Sequence, residues 1–543
     1  MTPARSVVPV YYRLLTAEST GEATIIGFNH ANLVFDSFFL IHSFQQSMIC
    51  VTLGRARHKR MIAEHKFLAE QGAELVELRL DYIGRAISLS RLIDNRPCPV
   101  VLTARRRDDG GRWMKTEQER LMLLRSAIAA GVEYVDIEAD IASQIPRYGN
   151  TKRIISFHDM SETPDNLEDL HAAMADEDAD IVKIATMANS FADNLRMIEL
   201  VRNANVPTIG ICMGEIGIIT RLLANRLGSP FTYATFSGGR KMASGQLDWK
   251  EMRDLYKYDT INEETEFFGV VADPVAHSYS PLIHNRAFAE ENLNARYFPF
   301  RVPKNDLSNL VESCADLNIS GLSVTIPHKE QAIDFCSQAE SSATGIGAVN
   351  TMVFQNEDCL GYNTDYRAAM DCIEETFQID KTQERPMQGL TAMVLGAGGV
   401  SRAIAWGLKQ RHCDVIISSR THERAQILAA EIGCRTIEWN QRHELKINLL
   451  INGTPVGMHP EMDASPYNAS AMSQYLAVFD TVYNPENTLL IKHAKRANCR
   501  IITGIDMFVR QAAYQYKLFT GLDAPVKVMR QTIKQATNPV QLN

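Results

Sequence analysis

Six side chains in the first half of this sequence are of catalytic types and fall at or near the ends of apolar runs: Glu77, Arg79, Arg105, His158, Lys183 and Arg221. Lys183 is the most demanding, because it lies inside the apolar run of DADIVKIAT, where an ammonium must find a partner or lose its proton. Burial and neighbouring arginines both lower a lysine from its usual value of about 10.4, which leaves an amine able to attack a ketone. His158 titrates near neutrality and suits a proton-transfer role beside it. Three arginines leave one or two to clamp a carboxylate with paired donors. Plainer readings exist for single residues: an imidazole in SFHDM also caps loops, and Arg105 opens a solvated-looking run, RRR. Their joint placement is what favours chemistry.

The second half carries a different signal. An apolar run at 393–395 meets Gly396, Ala397, Gly398 and Gly399, a helical pattern follows, and a second apolar run covers 415–417. Strand, glycine turn, helix and strand form the first unit of a dinucleotide-binding domain, whose turn brings backbone N–H groups to a pyrophosphate. An NAD domain places an acid after the second strand, but this chain has Ser418, Ser419, Arg420 and Thr421, with Arg424 one turn on. Forked guanidinium donors suit a ribose 2′-phosphate, so NADP is expected over NAD, the alternative being that Arg420 and Arg424 are solvated helix-start residues. A polar set also gathers at strand ends: Ser278, Ser280, Thr325, Lys329, Asn350 and Asp365. It can hold a polyol, and a lysine–carboxylate pair can pass a proton to or from an alcohol oxygen.

These residues need elements to position them. Strand candidates at 48–53, 74–80, 98–103, 133–138, 152–157, 179–185, 206–212 and 230–236 alternate with helical patterns, which predicts a (β/α)8 barrel with its chemistry at the carboxyl ends of the strands. A charged, Tyr-containing stretch at 249–266 reads as a last barrel helix and a short linker. A new α/β lobe opens with FFGVVAD (267–273), where Pro281 suits a helix first turn, and LSVTIPHKE (322–330) ends at Pro327 and presents His328 and Lys329. After the glycine turn come NLLINGTPVGM (448–458), FDTVYNP (479–485) and a helix in 502–521 with Gln511 and Gln515 on one face.

Composition limits the function classes. The 543 residues suit two to four domains, and 45% hydrophobic content supplies large cores. A net charge of −8 with mixed signs argues against bulk nucleic-acid or membrane-surface binding, so anionic ligands need local basic sites. The ten cysteines are scattered without CxxC or metal-like spacing, so no metal is expected and a reducing compartment is. No apolar run approaches the roughly 20 residues of a membrane span. Residues 1–47 contain Glu18, Glu22 and Asp36 and match neither a secretory signal nor an acid-poor transit peptide. They read as a start-site extension or a poorly ordered arm, with a cytoplasmic location expected and a plastid address as the alternative.

The first half resembles type I 3-dehydroquinate dehydratase over about 48–250, carried by VELRLD (76–81), TAR followed by DDGG (103–111), FHD (157–159), IVKIA (181–185), MGEIGIITR (213–221) and ASGQ (243–246). By that resemblance Lys183 forms a Schiff base with the substrate ketone and His158 handles the proton at the adjacent carbon. Arg221 binds the carboxylate, while Glu77, Arg79, Arg105 and Gln246 hold hydroxyls and the catalytic pair. The sequence departs from the family at Asp109, where Glu is common, and at Met242, where Ser or Thr stands; Ser244 lies two residues on. The second half resembles shikimate dehydrogenase over about 267–535. That implies a substrate site of Ser278, Ser280, Thr325, Asn350, Asp365, Tyr483 and Gln511, with Lys329 and Asp365 as the catalytic pair. NADP contacts fall on the 396–399 turn, Arg420, Thr421 and Arg424, and Met507 lies near the nicotinamide. Ser323 stands where many bacterial relatives have Asn.

The tandem resembles the plant-type fusion of these two enzymes. The expected organisation is an extension at 1–47 that matches neither enzyme, a barrel at 48–258, a substrate lobe at 265–385 completed by 505–543, and a Rossmann-type NADP lobe at 386–504. The expected ligands are carboxylate polyols: 3-dehydroquinate, 3-dehydroshikimate and shikimate. Two alternatives are a quinate dehydrogenase in the second half and a barrel that senses a metabolite without turning it over, the latter motivated by Asp109 and Met242.

Overall fold

A computed structural model describes residues 48–237, 239 and 245–537. The extension expected over 1–47, the last residues of the 505–543 segment, and Met242 and Ser244 lie outside the described residues. Three sheets organise the rest. The first contains β1 (Met48–Leu53), β2 (Leu75–Arg79), β3 (Val100–Thr103), β4 (Tyr134–Glu138), β5 (Lys152–Asp159), β6 (Ile181–Met187), β7 (Thr208–Met213) and β8 (Phe231–Thr235). All pairings between them are parallel, in the order β7-β6-β5-β4-β3-β2-β1-β8. This is the expected barrel, with β7 and β8 as the two ends of the sheet. β3 and β7 each begin two residues later than the apolar pattern suggests, because Pro99 and Pro207 have no N–H for the ladder.

Strand alternation sorts the barrel interior into levels. Cys50, Leu75, Val101, Ile154, Ile181, Ile209 and Phe231 form an apolar floor. Two residues further along the same strands stand Thr52, Glu77, Thr103, Ser156, Lys183, Ile211 and Tyr233, all buried. A period of two therefore lifts the charged groups onto a greasy base at the carboxyl end of the barrel.

The second sheet is mixed. It comprises β9 (Glu266–Ala272), β10 (Ala295–Arg301), β11 (Ile319–Val324), β12 (Gln338–Ala339), β13 (Thr351–Gln355) and β14 (Asp358–Tyr362), in the order β10-β9-β11-β13-β14-β12. The third is parallel throughout: β15 (Thr391–Leu395), β16 (Asp414–Ser418), β17 (Arg435–Thr436), β18 (Leu449–Asn452), β19 (Ala477–Asp480) and β20 (Arg500–Ile502). Its order, β17-β16-β15-β18-β19-β20, reverses direction at β15, which places a ligand crevice beyond the end of that strand. The helix Gly504–Thr520, started by a Thr503–Asp506 capping box, packs on the helix Thr364–Phe377 and returns the chain to the second sheet.

The stretch after Trp249 is tighter than a linker. A single wide helical turn, Glu251–Leu255, is followed by Tyr256 and Tyr258, both buried, and the Tyr256 ring lies 5.6 Å from Phe298 of β10. Phe191 of the barrel meets Phe300 at 6.3 Å, so one hydrophobic cluster runs from the barrel into the second sheet. The third sheet has clusters of its own. Arg301 also joins the two, pairing with Glu215 in the loop after β7 at 3.2 Å and with Asp273 after β9 at 2.9 Å.

Candidate functional site

One cavity at the barrel mouth is lined by Glu77, Arg79, Arg105, Asp109, His158, Lys183, Arg221 and Gln246, among others. The whole barrel set named from the sequence thus surrounds one space. Lys183 Nζ lies 2.9 Å from Asp136 Oδ2 and 4.2 Å from the centroid of the Tyr233 ring. Arg105 contacts Asp136 at 2.6 Å and Glu138 at 3.0 Å, and Ser156 Oγ donates to Asp136 at 2.6 Å. Burial pushes the Asp136 carboxyl up, but the charges of Arg105 and Lys183 outweigh it and hold the group well below the usual carboxylate range. Of the two outcomes expected for a lysine in an apolar run, a partner or a lost proton, the structure shows the partner, since the nearest charge to Lys183 is a carboxylate. The DIE of β4 carried that signal: carboxylates two apart on a strand share a face, and here the face is the barrel interior.

The other cations are mostly matched as well. Arg79 pairs with Asp81 at 2.8 Å, and Asp109 accepts from Arg106 at 2.7 Å rather than from His158. Thr103 donates to Glu77 at 2.7 Å. Arg221 differs. It is buried in the short helix Ile218–Leu222, has no carboxylate partner among the described residues, and burial lowers it to about 10. An uncompensated buried guanidinium is a seat for an anion. Burial, then the charges of Arg105 and Lys183, hold His158 well below its ordinary value, so its imidazole is neutral near pH 7 and can accept a proton. Its Nδ1 has no hydrogen-bond partner. Gly245 closes the rim in a left-handed conformation (φ +74°), where a Cβ would stand 2.1 Å from the Gly214 oxygen.

A second cleft, of about 420 Å³, is lined by the ends of β9, β11 and β19 and by the helices Gly399–Gln410 and Gly504–Thr520. Ser278, Ser280, Thr325, Lys329, Asn350, Asp365, Tyr483, Met507 and Gln511 all line it, as does Ser323. Lys329 Nζ and Asp365 Oδ2 are 2.5 Å apart. His328 does not join them; it is buried, with its ring bonded to the Val302 oxygen at 2.8 Å. Asn350 Oδ1 accepts from the Thr364 N–H at 2.7 Å and its Nδ2 donates to Thr364 Oγ1 at 3.0 Å, leaving one amide proton for a ligand. Burial pushes the Tyr483 phenol up to about 12, so it stays a neutral donor, and its ring stacks on Phe508 at 4.5 Å. Ser278 and Ser280 stand where the helix Ser280–Glu290 begins, with Pro281 in its first turn as expected; the Ser280 N–H approaches Ser278 Oγ at 3.3 Å.

The turn after β15 fits a dinucleotide. Gly396 has φ +102° and a Cβ there would press on Gly453 at 3.0 Å, while a Cβ on Gly398 would meet open space beside the N-terminus of the helix Gly399–Gln410. A Cβ on Gly399 would lie 3.5 Å from Lys329 Cδ, so the phosphate cradle and the lysine of the cleft adjoin. Arg420, Thr421 and Arg424 are exposed just past β16, and neither arginine forms an ion pair among the described residues, which suits a 2′-phosphate. Residues that sequence reasoning passed over include Asp136, Glu138 and Tyr233 in the barrel, and Tyr297 behind the cleft.

Comparison with known proteins agrees along the chain. The Type I 3-dehydroquinase family matches residues 49–263. The Shikimate dehydrogenase substrate binding domain matches 270–352, Shikimate / quinate 5-dehydrogenase 379–451, and the Shikimate 5'-dehydrogenase C-terminal domain 504–534. A bifunctional 3-dehydroquinate dehydratase/shikimate dehydrogenase of Arabidopsis thaliana, named as chloroplastic, is 35% identical over 511 residues, covering 90% of this chain and 84% of that protein. A shikimate dehydrogenase (NADP(+)) of Methanopyrus kandleri is 38% identical over 286 residues, 50% of this chain and 97% of its own length. A solved shikimate dehydrogenase in complex with NADP+ is 32% identical, covers 51% of this chain and 98% of that one, and has a TM-score of 0.48.

Proposed function

The chain belongs to the family of bifunctional 3-dehydroquinate dehydratase/shikimate dehydrogenases, and from that premise we propose which residues carry each reaction. It dehydrates 3-dehydroquinate to 3-dehydroshikimate and reduces that ketone to shikimate with NADPH. We assign the dehydratase to 48–258, the substrate lobe to 265–385 with 505–543, and the NADP lobe to 386–504.

In the barrel, Lys183 attacks the ketone carbonyl and water leaves as the imine forms. Neutral His158 takes the proton from the adjacent carbon, the imine accepts the electron pair, and His158 returns the proton to the departing hydroxyl. Water then releases the product from Lys183. Arg221 holds the substrate carboxylate, and its missing counter-charge is the observation that carries this reading. Glu77, Arg79, Arg105, Asp109 and Gln246 hold hydroxyls and the catalytic pair. Borohydride added with 3-dehydroquinate should fix one substrate mass on Lys183; no adduct by intact mass, with Lys183→Ala still dehydrating, would reject the imine.

In the cleft, Ser278 and Ser280 hold the carboxylate at a helix N-terminus, and Thr325, Asn350, Tyr483 and Gln511 hold hydroxyls. NADPH, when bound, supplies a hydride. Lys329 and Asp365 hand a proton to the carbonyl oxygen as it becomes an alcohol. Gly396, Ala397, Gly398 and Gly399 cradle the pyrophosphate, Arg420, Thr421 and Arg424 the 2′-phosphate, and Met507 flanks the nicotinamide ring. An assay started from 3-dehydroquinate with NADPH should show dehydroshikimate absorbance rising and then falling as NADPH is consumed. Faster reduction of dehydroquinate than of dehydroshikimate would instead make the second half a quinate dehydrogenase. No helix among the described residues is long and apolar enough to cross a membrane. With ten free thiols we place the enzyme in the reducing cytoplasm, and fractionation that recovers it with plastids would overturn that placement.

A further inference from the structure

Behind the cleft lies a buried polar layer that none of the steps above uses. Tyr297 of β10 is fully buried, and its hydroxyl closes no hydrogen bond. Ser323 of β11, which lines the cleft, likewise has a buried hydroxyl that closes none. Across β9, Tyr297 stands opposite Phe268 and Ser323 opposite Val270, two residues apart on one side of the sheet, and Ser280 begins the helix tied to Tyr297. Burial pushes the Tyr297 phenol up, while the Ser323 and Ser280 hydroxyls pull it back. Tyr297 is therefore a neutral O–H, a donor, standing behind two serines that face the ligand space.

The ring is held in place. His284 stacks on it with centroids 4.3 Å apart and planes 4° apart, and burial lowers that imidazole to about 3, so it adds no charge. Asn285 fastens the backbone of Tyr297 to the helix Ser280–Glu290: its Oδ1 accepts from the Tyr297 N–H at 2.9 Å, and its Nδ2 donates to the Tyr297 oxygen and to the Pro281 oxygen, each at 2.8 Å. The tyrosine and the first turn of that helix are thereby one rigid piece.

A serine has one proton and two lone pairs. If it must donate to a carboxylate, its remaining satisfaction has to come from a donor on its other side. Ile283, Phe288 and Val270 share the apolar cluster around Tyr297, and the other polar side chains of this layer, His284 and Gln515, face each other, which leaves the phenol as the hydroxyl donor beside the serines. We propose that Tyr297 is a positioning residue for the dehydrogenase: its hydroxyl donates to Ser280 or Ser323 when substrate binds, turning the serine proton into the cleft and making that end of the site select an acceptor-only group. A ligand carboxylate fits that polarity, and an ester or amide at the same position fits it less well. Buried donors without a closed partner are costly, and a carboxylate that orders the serine proton lets the phenol close its own bond.

The inference rests on the reading that Ser280 holds the substrate carboxylate, so the experiment separates the two. Full-length wild type, Ser280→Ala, Tyr297→Phe and Tyr516→Phe are assayed for shikimate oxidation with NADP+, and each for shikimate against its methyl ester. Tyr516 is a second buried phenol with no closed hydrogen bond, away from the cleft lining, and serves as control. Tyr297→Phe should raise the shikimate KM about five- to tenfold and narrow the preference for acid over ester, with kcat and the NADP+ KM unchanged and the melting temperature equal or higher. Tyr516→Phe should match wild type. If Ser280→Ala raises KM and Tyr297→Phe does not, the positioning role is wrong while the seat stands. If Ser280→Ala leaves KM unchanged, the seat itself is misplaced. A Tyr297→Phe enzyme that loses kcat and NADP+ affinity together would show a merely structural role, which overturns the proposal.

Discussion

On the assignment proposed above, the barrel mouth and the interlobe cleft take ligands that differ by one molecule of water, yet they are made of different chemistry. In the barrel, Lys183, Arg105, Asp136 and Glu138 sit buried together towards the carboxyl ends of the strands and hold one another by ion pairs. In the cleft Lys329 pairs with Asp365 and Asp273 at the edge pairs outward with Arg301, while the polar lining between them is mainly hydroxyls, amides and one phenol drawn from two lobes. The difference follows from the work. Imine chemistry creates and removes charge on the protein itself, so counter-charges must be fixed beforehand in a dry place. Reduction needs one proton and a well-aimed ketone, so neutral hydrogen bonds from separate segments are enough.

Substitutions can break that comparison. Lys183→Ala should lower dehydration on the order of 10⁵-fold, as loss of a covalent nucleophile does, with shikimate oxidation by the same preparation unaltered. Comparable losses in both assays would mean the sites are not independent. Asp365→Asn should cost the reductase roughly 10²–10⁴-fold in kcat and leave dehydration alone. Asp136→Asn sharpens the contrast, because it leaves Arg105 and Lys183 facing each other in a buried space. About 3–5 kcal/mol of stability should be lost, read as a lower denaturation midpoint, and a neutral outcome would show that the barrel charges are not mutually supporting. Arg420→Ala, at an exposed site, should do least, raising the NADPH KM about tenfold without touching NADH; equal effects on both cofactors would refute the 2′-phosphate assignment.

Much of this was legible beforehand, and the exceptions have physical causes. All eight barrel strands show as apolar runs, and Lys183 shows because a lysine inside such a run has no cheap explanation. The glycine turn shows because the strand, turn and helix that the structure forms at 391–410 are local in sequence. Asp136 escaped because a strand carboxylate reads as surface until the sheet closes and its face turns inward. Tyr297 escaped for a related reason, since an aromatic strand residue reads as core and its hydroxyl matters only once β11 and the helix Ser280–Glu290 bring serines beside it. Asp109 was placed in the right cavity, but its partner is Arg106, a neighbour that no motif singles out.

The aromatic seam of Phe191, Tyr256, Phe298 and Phe300 reaches further than packing. Heat should melt the barrel and the substrate lobe in one calorimetric event, because neither can open without uncovering the other's rings, while the third sheet packs in a separate cluster that it shares with the helix Thr364–Phe377. A barrel transition resolved by itself would contradict this. Where the reactions divide, the stability does not: scissors placed between the two enzymes would cut through a single cooperative body.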